Sequence, residues 1–183
     1  FKASPVNGLW FNVFGEYRIS KDELFCNLVD ADGYYFTHFL QDKAKTAYGG
    51  AELKYGYKDW FDASLKGTFY SWKTDNENEE LYLVTKPKFE LNFYAEAKVF
   101  EGLKVNLGYE YVQRKEYVIE EGNSSKDFGL GNISNLSVGA SYTFLKDLSV
   151  FGRVNNLLNK QYYYEYGYPA EKLNVLAGLS LAF

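Results

Sequence analysis

Five tyrosines crowd into seven positions near the end of the chain: Tyr162, Tyr163, Tyr164, Tyr166 and Tyr168. Ring faces at that density can stack on sugars or planar chelates, while the hydroxyls bond polar ligands. The same rings can equally form an aromatic girdle and pack strand ends. As a ligand-binding set on an extracellular loop they are the most conspicuous candidate site. Two acidic stretches offer different chemistry. Asp30-Ala31-Asp32-Gly33 and Asp75-Asn76-Glu77-Asn78-Glu79-Glu80 carry hard oxygen ligands of the kind Ca²⁺ takes. The first lacks the closing Glu of a calcium loop, because Gln41 stands there, and solvated acids on a cell exterior account for both, so no metal site is assigned. His38, the only histidine, lies near Asp30 and Asp32 and evokes a protease dyad, but one histidine beside carboxylates does not define chemistry. No zinc spacing, phosphate-cradling glycine loop or serine elbow occurs. The chain therefore reads as a non-enzyme with no cofactor.

Strands must position these loops, since period-two alternation recurs along the chain and helical periodicity is nearly absent. From Asn135 to Phe144, Leu136, Val138, Ala140, Tyr142 and Phe144 share one face, opposite Asn135, Ser137, Gly139, Ser141 and Thr143. Phe89 to Val99 and Leu103 to Tyr111 repeat the pattern, and Leu173 to Phe183 does so with Leu176 interrupting its polar side. A soluble antiparallel sheet also alternates. These strands, however, run to about eleven residues, which at ~3.3 Å per residue and ~45° tilt rise about 25 Å, the height of an outer-membrane apolar band. Their polar faces also carry full charges in mid-strand: Glu52, Lys54, Asp62, Lys66, Glu90, Glu96 and Lys98.

Connections alternate short and long, as outer-membrane barrels require. Tight turns are expected at Ser20 to Leu24, Tyr57 to Trp60, Phe100 to Leu103 and Leu145 to Leu148, with long connections around 30–43, 75–87, 118–132 and 157–171. Nine strands result: 9–19, 23–29, 45–57, 61–73, 88–100, 103–117, 133–145, 148–156 and 172–183. With the C-terminus periplasmic, nine strands would put the N-terminus outside the cell. Complete single-chain bacterial barrels have even counts. That count, the absence of Met and a loop-like Phe1 to Gly8 lead to the expectation that 1–183 is a single segment of a larger barrel. The fold class is thus an all-β, antiparallel, up-and-down transmembrane β-barrel with about 8–9 strands in this chain. The alternative is a complete small eight-stranded outer-membrane barrel with a structural or adhesive role.

Composition narrows the class further. Aromatics make up 20% of the 183 residues, Tyr most of all, as expected where apolar surroundings meet water. Mean hydropathy is −0.37, and no apolar run approaches the ~18 residues of a helical span. A net charge of −4 with pI about 5.2 gives no case for nucleic-acid binding. The single cysteine, Cys26, can form no internal disulfide.

The run Val150-Phe-Gly-Arg-Val-Asn-Asn-Leu-Leu-Asn-Lys-Gln-Tyr162, then Gly167-Tyr-Pro169 and Ala177-Gly-Leu-Ser-Leu-Ala-Phe183, resembles the C-terminal end of TonB-dependent receptors. Asn155, Asn156, Leu157, Asn159, Lys160 and Tyr162 fit that family's Asn-Asn-Leu stretch, and Tyr70-Ser-Trp-Lys73 and Lys86-Pro-Lys88 also look familiar. Glu171-Lys172 stands where the family often has Gly-Arg. The resemblance implies the C-terminal part of a barrel of roughly 22 strands. It implies a bacterial outer-membrane location, and uptake of a scarce ligand such as an iron chelate, cobalamin or a glycan. It also implies TonB as a partner, through a plug domain that these residues do not contain. Gly178, Leu181 and Phe183 resemble the closing-strand signal read by the barrel-assembly machinery. Outer-membrane lipid is the other expected partner.

Overall fold

The computed structural model describes residues 1–31, 34–75, 83–115, 118–121, 124–127, 129–166 and 168–181; within these, 26–31, 34–38, 118–121 and 124–127 are described by backbone alone. One antiparallel sheet dominates. It contains β1 (Lys2–Ala3), β2 (Leu9–Ala31), β3 (Tyr34–Tyr57), β4 (Phe61–Thr74), β5 (Pro87–Phe100), β6 (Leu103–Arg114), β9 (Ile133–Leu145), β10 (Leu148–Asn155) and β13 (Asn174–Leu181). Each pairs with the next in that order. Two small hairpins stand apart: β7 (Val118–Glu121) with β8 (Ser124–Asp127), and β11 (Tyr163–Glu165) with β12 (Tyr168–Pro169). Among the described residues β1 and β13 do not pair, so the sheet is an open barrel wall.

Alternation sets the two faces as expected. By register one apolar row crosses six strands: Ala63, Ala95, Leu107, Val138, Val154 and Val175. A second runs Leu53, Leu65, Phe93, Tyr109 and Leu136. The opposite face carries Glu52, Lys66, Asn92, Glu110 and Asn135, and beside them Asp62, Glu96, Asn106, Gly139 and Arg153. Aromatic belts bound the apolar face. Tyr55 and Phe61 touch near the tight turns, as do Phe100 and Tyr142. At the far side Phe69, Phe89 and Tyr111 form a chain of rings. From Phe61 to Phe69 is eight residues, ~27 Å along the strand and ~20 Å vertically at the usual tilt. That suits the hydrocarbon layer, where every backbone polar group must find a strand partner.

Three of the four expected tight turns are present, between β3 and β4, β5 and β6, and β9 and β10. Lys58 takes positive φ in the three-residue first turn and Gly102 in the two-residue second. The fourth, at Ser20 to Leu24, is a correction. Register slips there from Ser20↔Ala44 to Glu23↔Asp42, three residues facing two, which makes it a β-bulge inside a continuous β2. Residues 9–19 and 23–29 are therefore one strand, and the expected loop 30–43 belongs, where described, to β2 and β3. Phe1 to Gly8, expected as a loop, contains β1, hydrogen-bonded to the start of β2. Nine strands again take part in the sheet, eight of them with eight or more residues. β1 descends beside β2, from Phe1 at Val13 to Ala3 at Phe11, and Leu181 ends β13 at the tight-turn side opposite Leu148.

Buried residues gather at the long-loop end. Phe25, Ala44 and Leu83 form one cluster; Val84, Leu130 and Tyr166 a second; Val112, Ile133 and Tyr162 a third. Ala44, Val112 and Ile133 belong to the polar face, so the loops fold over that side of the wall.

Candidate functional site

The connection from Asn156 to Leu173 is held by asparagines. Asn156 takes φ 48° and is 1% exposed. Its Nδ2 donates to the carbonyls of Lys160 (2.8 Å) and Glu171 (3.1 Å), and its Oδ1 accepts from the Lys160 amide. Its own amide donates to Asn135 Oδ1. Asn159, at φ 50°, accepts from the Leu173 amide, and Asn155 bonds Asn174 across the strands. Asparagine tolerates the left-handed region and carries both donor and acceptor, which is why this residue type recurs here. The Asn-Asn-Leu motif therefore works as a clip that returns the chain over the wall.

The clip divides the five tyrosines. Tyr162 is buried against Val112 and Ile133, and Tyr166 against Val84 and Leu130, with Tyr163 packed beside it. Tyr164 is half exposed, sets its ring edge-on to Tyr162 at 5.5 Å, and donates to Glu110 at 3.3 Å. Burial first, and then the negative charge of Glu110, pushes its hydroxyl pKa up, so it remains a donor. Tyr168 is 74% exposed. Arg114, at the end of β6, donates to the carbonyls of Tyr163 and Tyr164 and bonds Asn132 through its amide. Three of the five rings thus serve packing, while Tyr164 and Tyr168 stay exposed.

A neighbouring cavity of about 330 Å³ was not foreseen as a site. Tyr70, Trp72, Leu83, Lys86, Lys88 and Lys115 line it. Tyr70 and Trp72 stack, and the Trp72 indole donates to the Pro87 carbonyl at 2.9 Å. The Lys86 ammonium lies 5.0 Å from the Phe25 and Trp72 rings and 2.7 Å from Glu23. A register slip between Pro87 and Phe89 leaves Lys88 unpaired in the ladder, at the cavity. The sequence signal was the pair of runs Tyr70-Ser-Trp-Lys73 and Lys86-Pro-Lys88, but nothing in it showed that they meet. Below, the wall repeats one device: Tyr48 donates to Glu16 (2.6 Å), Tyr70 to Glu90 (2.8 Å) and Tyr94 to Glu96 (3.1 Å).

Other candidates fall as follows. Asp75 pairs with Lys43 and Lys45. The side chains of Asp30, Asp32, His38, Glu77, Glu79 and Glu80 lie outside the described residues. Among the described residues no three His, Cys, Asp or Glu gather as metal ligands. Gly178 pairs with Phe151, and Leu181, exposed on the apolar side, pairs with Leu148; Phe183 lies outside the described residues.

An antiparallel wall with one lipid-facing side, one charged side, tight turns at one end and folded loops at the other defines a segment of an outer-membrane β-barrel. No protein-family model and no curated protein matches the chain. Solved structures do. The copper transporter OprC is similar over 98% of this chain and 30% of its own, with TM-score 0.68 and 11% identity. The pyoverdine outer-membrane receptor FpvA from Pseudomonas aeruginosa PAO1 matches over 96% and 27%, with TM-score 0.68 and 15% identity. The ferric-catecholate import receptor Fiu from E. coli K12 matches over 100% and 26%, with TM-score 0.68 and 15% identity. The chain spans less than a third of the length of these proteins. At this identity the likeness concerns the fold, and the resemblance of residues 148–183 to a TonB-dependent receptor barrel holds at that level. The compartment of this fold is the bacterial outer membrane.

Proposed function

We propose that the chain is the C-terminal barrel portion of a TonB-dependent outer-membrane receptor that takes up a scarce ligand and performs no catalysis. The observation carrying this reading is the end-to-end likeness of the wall to under a third of three receptors or transporters, each named for a metal or a metal-binding compound. An iron chelate is therefore favoured over cobalamin or a glycan. Its contact surface would be Tyr164 and Tyr168 with the cavity of Tyr70, Trp72, Lys86 and Lys88, where flat rings and ammonium groups suit a planar anionic chelate. TonB would engage a plug domain that residues 1–183 do not include.

The test uses the full-length protein in a strain lacking its other iron receptors. Uptake of a panel of ferric chelates is measured with and without TonB. Uptake of one chelate that needs TonB and falls at least about tenfold in Lys88→Glu/Trp72→Ala supports the reading. A correctly inserted protein that binds none of the panel, and whose loss changes no uptake, overturns it.

A further inference from the structure

The lipid-facing side of β2–β4 carries two features that receptor function does not use. The first is a groove of about 530 Å³ over small residues. Gly49, Ala51 and Gly67 form its floor, and Phe11, Val13, Leu53, Leu65, Phe69 and Leu91 its rim. A Cβ placed on Gly67 would already touch the rings and methyls of Phe89 and Leu91, so the flanking side chains lean over the floor. The second is a basic patch. Lys45 and Lys73 are direct cross-strand partners, and Lys43 follows on the same face of β3. Ala44 and Thr46, the alternate residues, are 0% and 2% exposed beneath the loops, so Lys43 and Lys45 point outward. Among the described residues Asp75 is the acid that pairs with Lys43 and Lys45, so three lysines stand against one carboxylate there.

The two features line up. Gly49 is four residues below Lys45 on β3, and Phe69 four residues below Lys73 on β4, ~13 Å along each strand. Acyl chains and a phosphate-bearing headgroup are separated on that scale, with the aromatic belt between them. We propose that this face holds a phosphorylated acyl lipid of the membrane leaflet on the long-loop side, its phosphates on Lys43, Lys45 and Lys73 and a chain in the Gly49–Gly67 groove. Charge complementarity selects the headgroup, and the groove selects a lipid over a free anion. This rests on the membrane-spanning reading of the wall, which heat-modifiable mobility of the folded protein reports separately.

The experiment follows thermal loss of heat-modifiable mobility for the full-length protein in detergent with a phosphorylated multi-acyl glycolipid, its dephosphorylated form, or inorganic phosphate. The phosphorylated lipid should raise the midpoint by about 5 °C. Lys43→Gln/Lys45→Gln/Lys73→Gln should abolish the rise, and Ala51→Leu, which fills the groove from the lipid side, should at least halve it. Lys54→Gln/Lys66→Gln on the inner face should leave it intact. An equal rise with the dephosphorylated lipid or with inorganic phosphate alone, or an undiminished rise in the triple variant, would overturn the proposal. A folded, heat-modifiable triple variant with no lipid response upholds it, and loss of heat modifiability in the unmutated protein would count against the barrel reading instead.

Discussion

The end of the Phe151 ring reaches over Gly178, its direct partner on the neighbouring strand, so that a Cβ at position 178 would come within 2.6 Å of its Cζ. The glycine is needed because it has no side chain, and the inward-facing ring in turn covers the backbone it leaves bare. Gly178 thus has a packing role in the folded wall, whatever its part in assembly.

Gly178→Ala should therefore cost about 1–3 kcal/mol through overpacking. The midpoint of urea unfolding in lipid vesicles measures it. Phe151→Leu in the same chain should recover more than half of the loss. If Gly178→Ala blocks insertion while the double variant does too, recognition during assembly outweighs packing at this position.

Asn156→Ala removes three side-chain hydrogen bonds and leaves a residue ill suited to φ 48°. A loss of about 2–4 kcal/mol is expected, showing as fast proteolysis within 157–173 before the wall itself unfolds. Asn156→Gly restores the backbone freedom without the bonds and should recover only about 1 kcal/mol. Full recovery by glycine would mean that the bonds contribute nothing.

Leu107 and Val138 face each other at the middle of the apolar side. Arginine at either should cost about 2–4 kcal/mol of folding in lipid. Asn92→Arg, on the inner face between Lys66 and Glu110, should be tolerated. Ser137 is a poorer inner control than alternation alone suggests: it is 7% exposed and accepts a bond from Arg153 at 3.3 Å. Equal damage from Asn92→Arg and Val138→Arg would reverse the assignment of faces.

Glu23, past the bulge and above the aromatic belt, joins Lys86 and Arg18. Burial pushes its pKa up, but the Lys86 hydrogen bond and the two positive charges outweigh it and hold the carboxyl below the usual range. A lowered folded-state pKa contributes stability that is fully present above the unfolded value and lost as pH falls through the folded one. Protection of the 83–85 turn from proteolysis should thus hold at pH 6 and fall below about pH 4. In Glu23→Gln that acid step should disappear. Its persistence would assign the step to other carboxylates.

The wall was legible in the sequence wherever one face meets lipid. Between Leu103 and Tyr111 or Asn135 and Phe144, alternation is enforced by the two surroundings, and the structure keeps those faces. Residues 34–43 form strand without alternating, since Tyr34, Tyr35 and Phe36 follow one another. They extend past the end of β4, so neither face was selected to meet hydrocarbon, and the run reads as a loop. The pair Lys21-Asp22 looks like a turn because turns and bulges both need one or two polar residues outside the ladder. Only the partner strand distinguishes them. The tyrosine set was visible as composition, but its division into buried and exposed rings depends on Val84, Val112 and Ile133, far away in the chain. The Lys86 to Glu23 contact bridges 63 positions and leaves no local trace.

The bulge at Lys21-Asp22 also acts as a phase boundary for heredity. Inward positions on β2 are even-numbered up to Ser20 and odd-numbered at Glu23 and Phe25. Losing one of Lys21 and Asp22 would iron the bulge out and leave Glu23 and Phe25 facing inward, whereas losing one residue between Leu9 and Ser20 would set the two parts of the strand out of phase. Near the hairpin tip, by contrast, matched additions to β2 and β3 lengthen both arms without disturbing the membrane-spanning part. Lineages carrying this wall should thus vary freely in the length of the outer hairpin while keeping the spacing from Leu9 to Ser20 fixed to the residue.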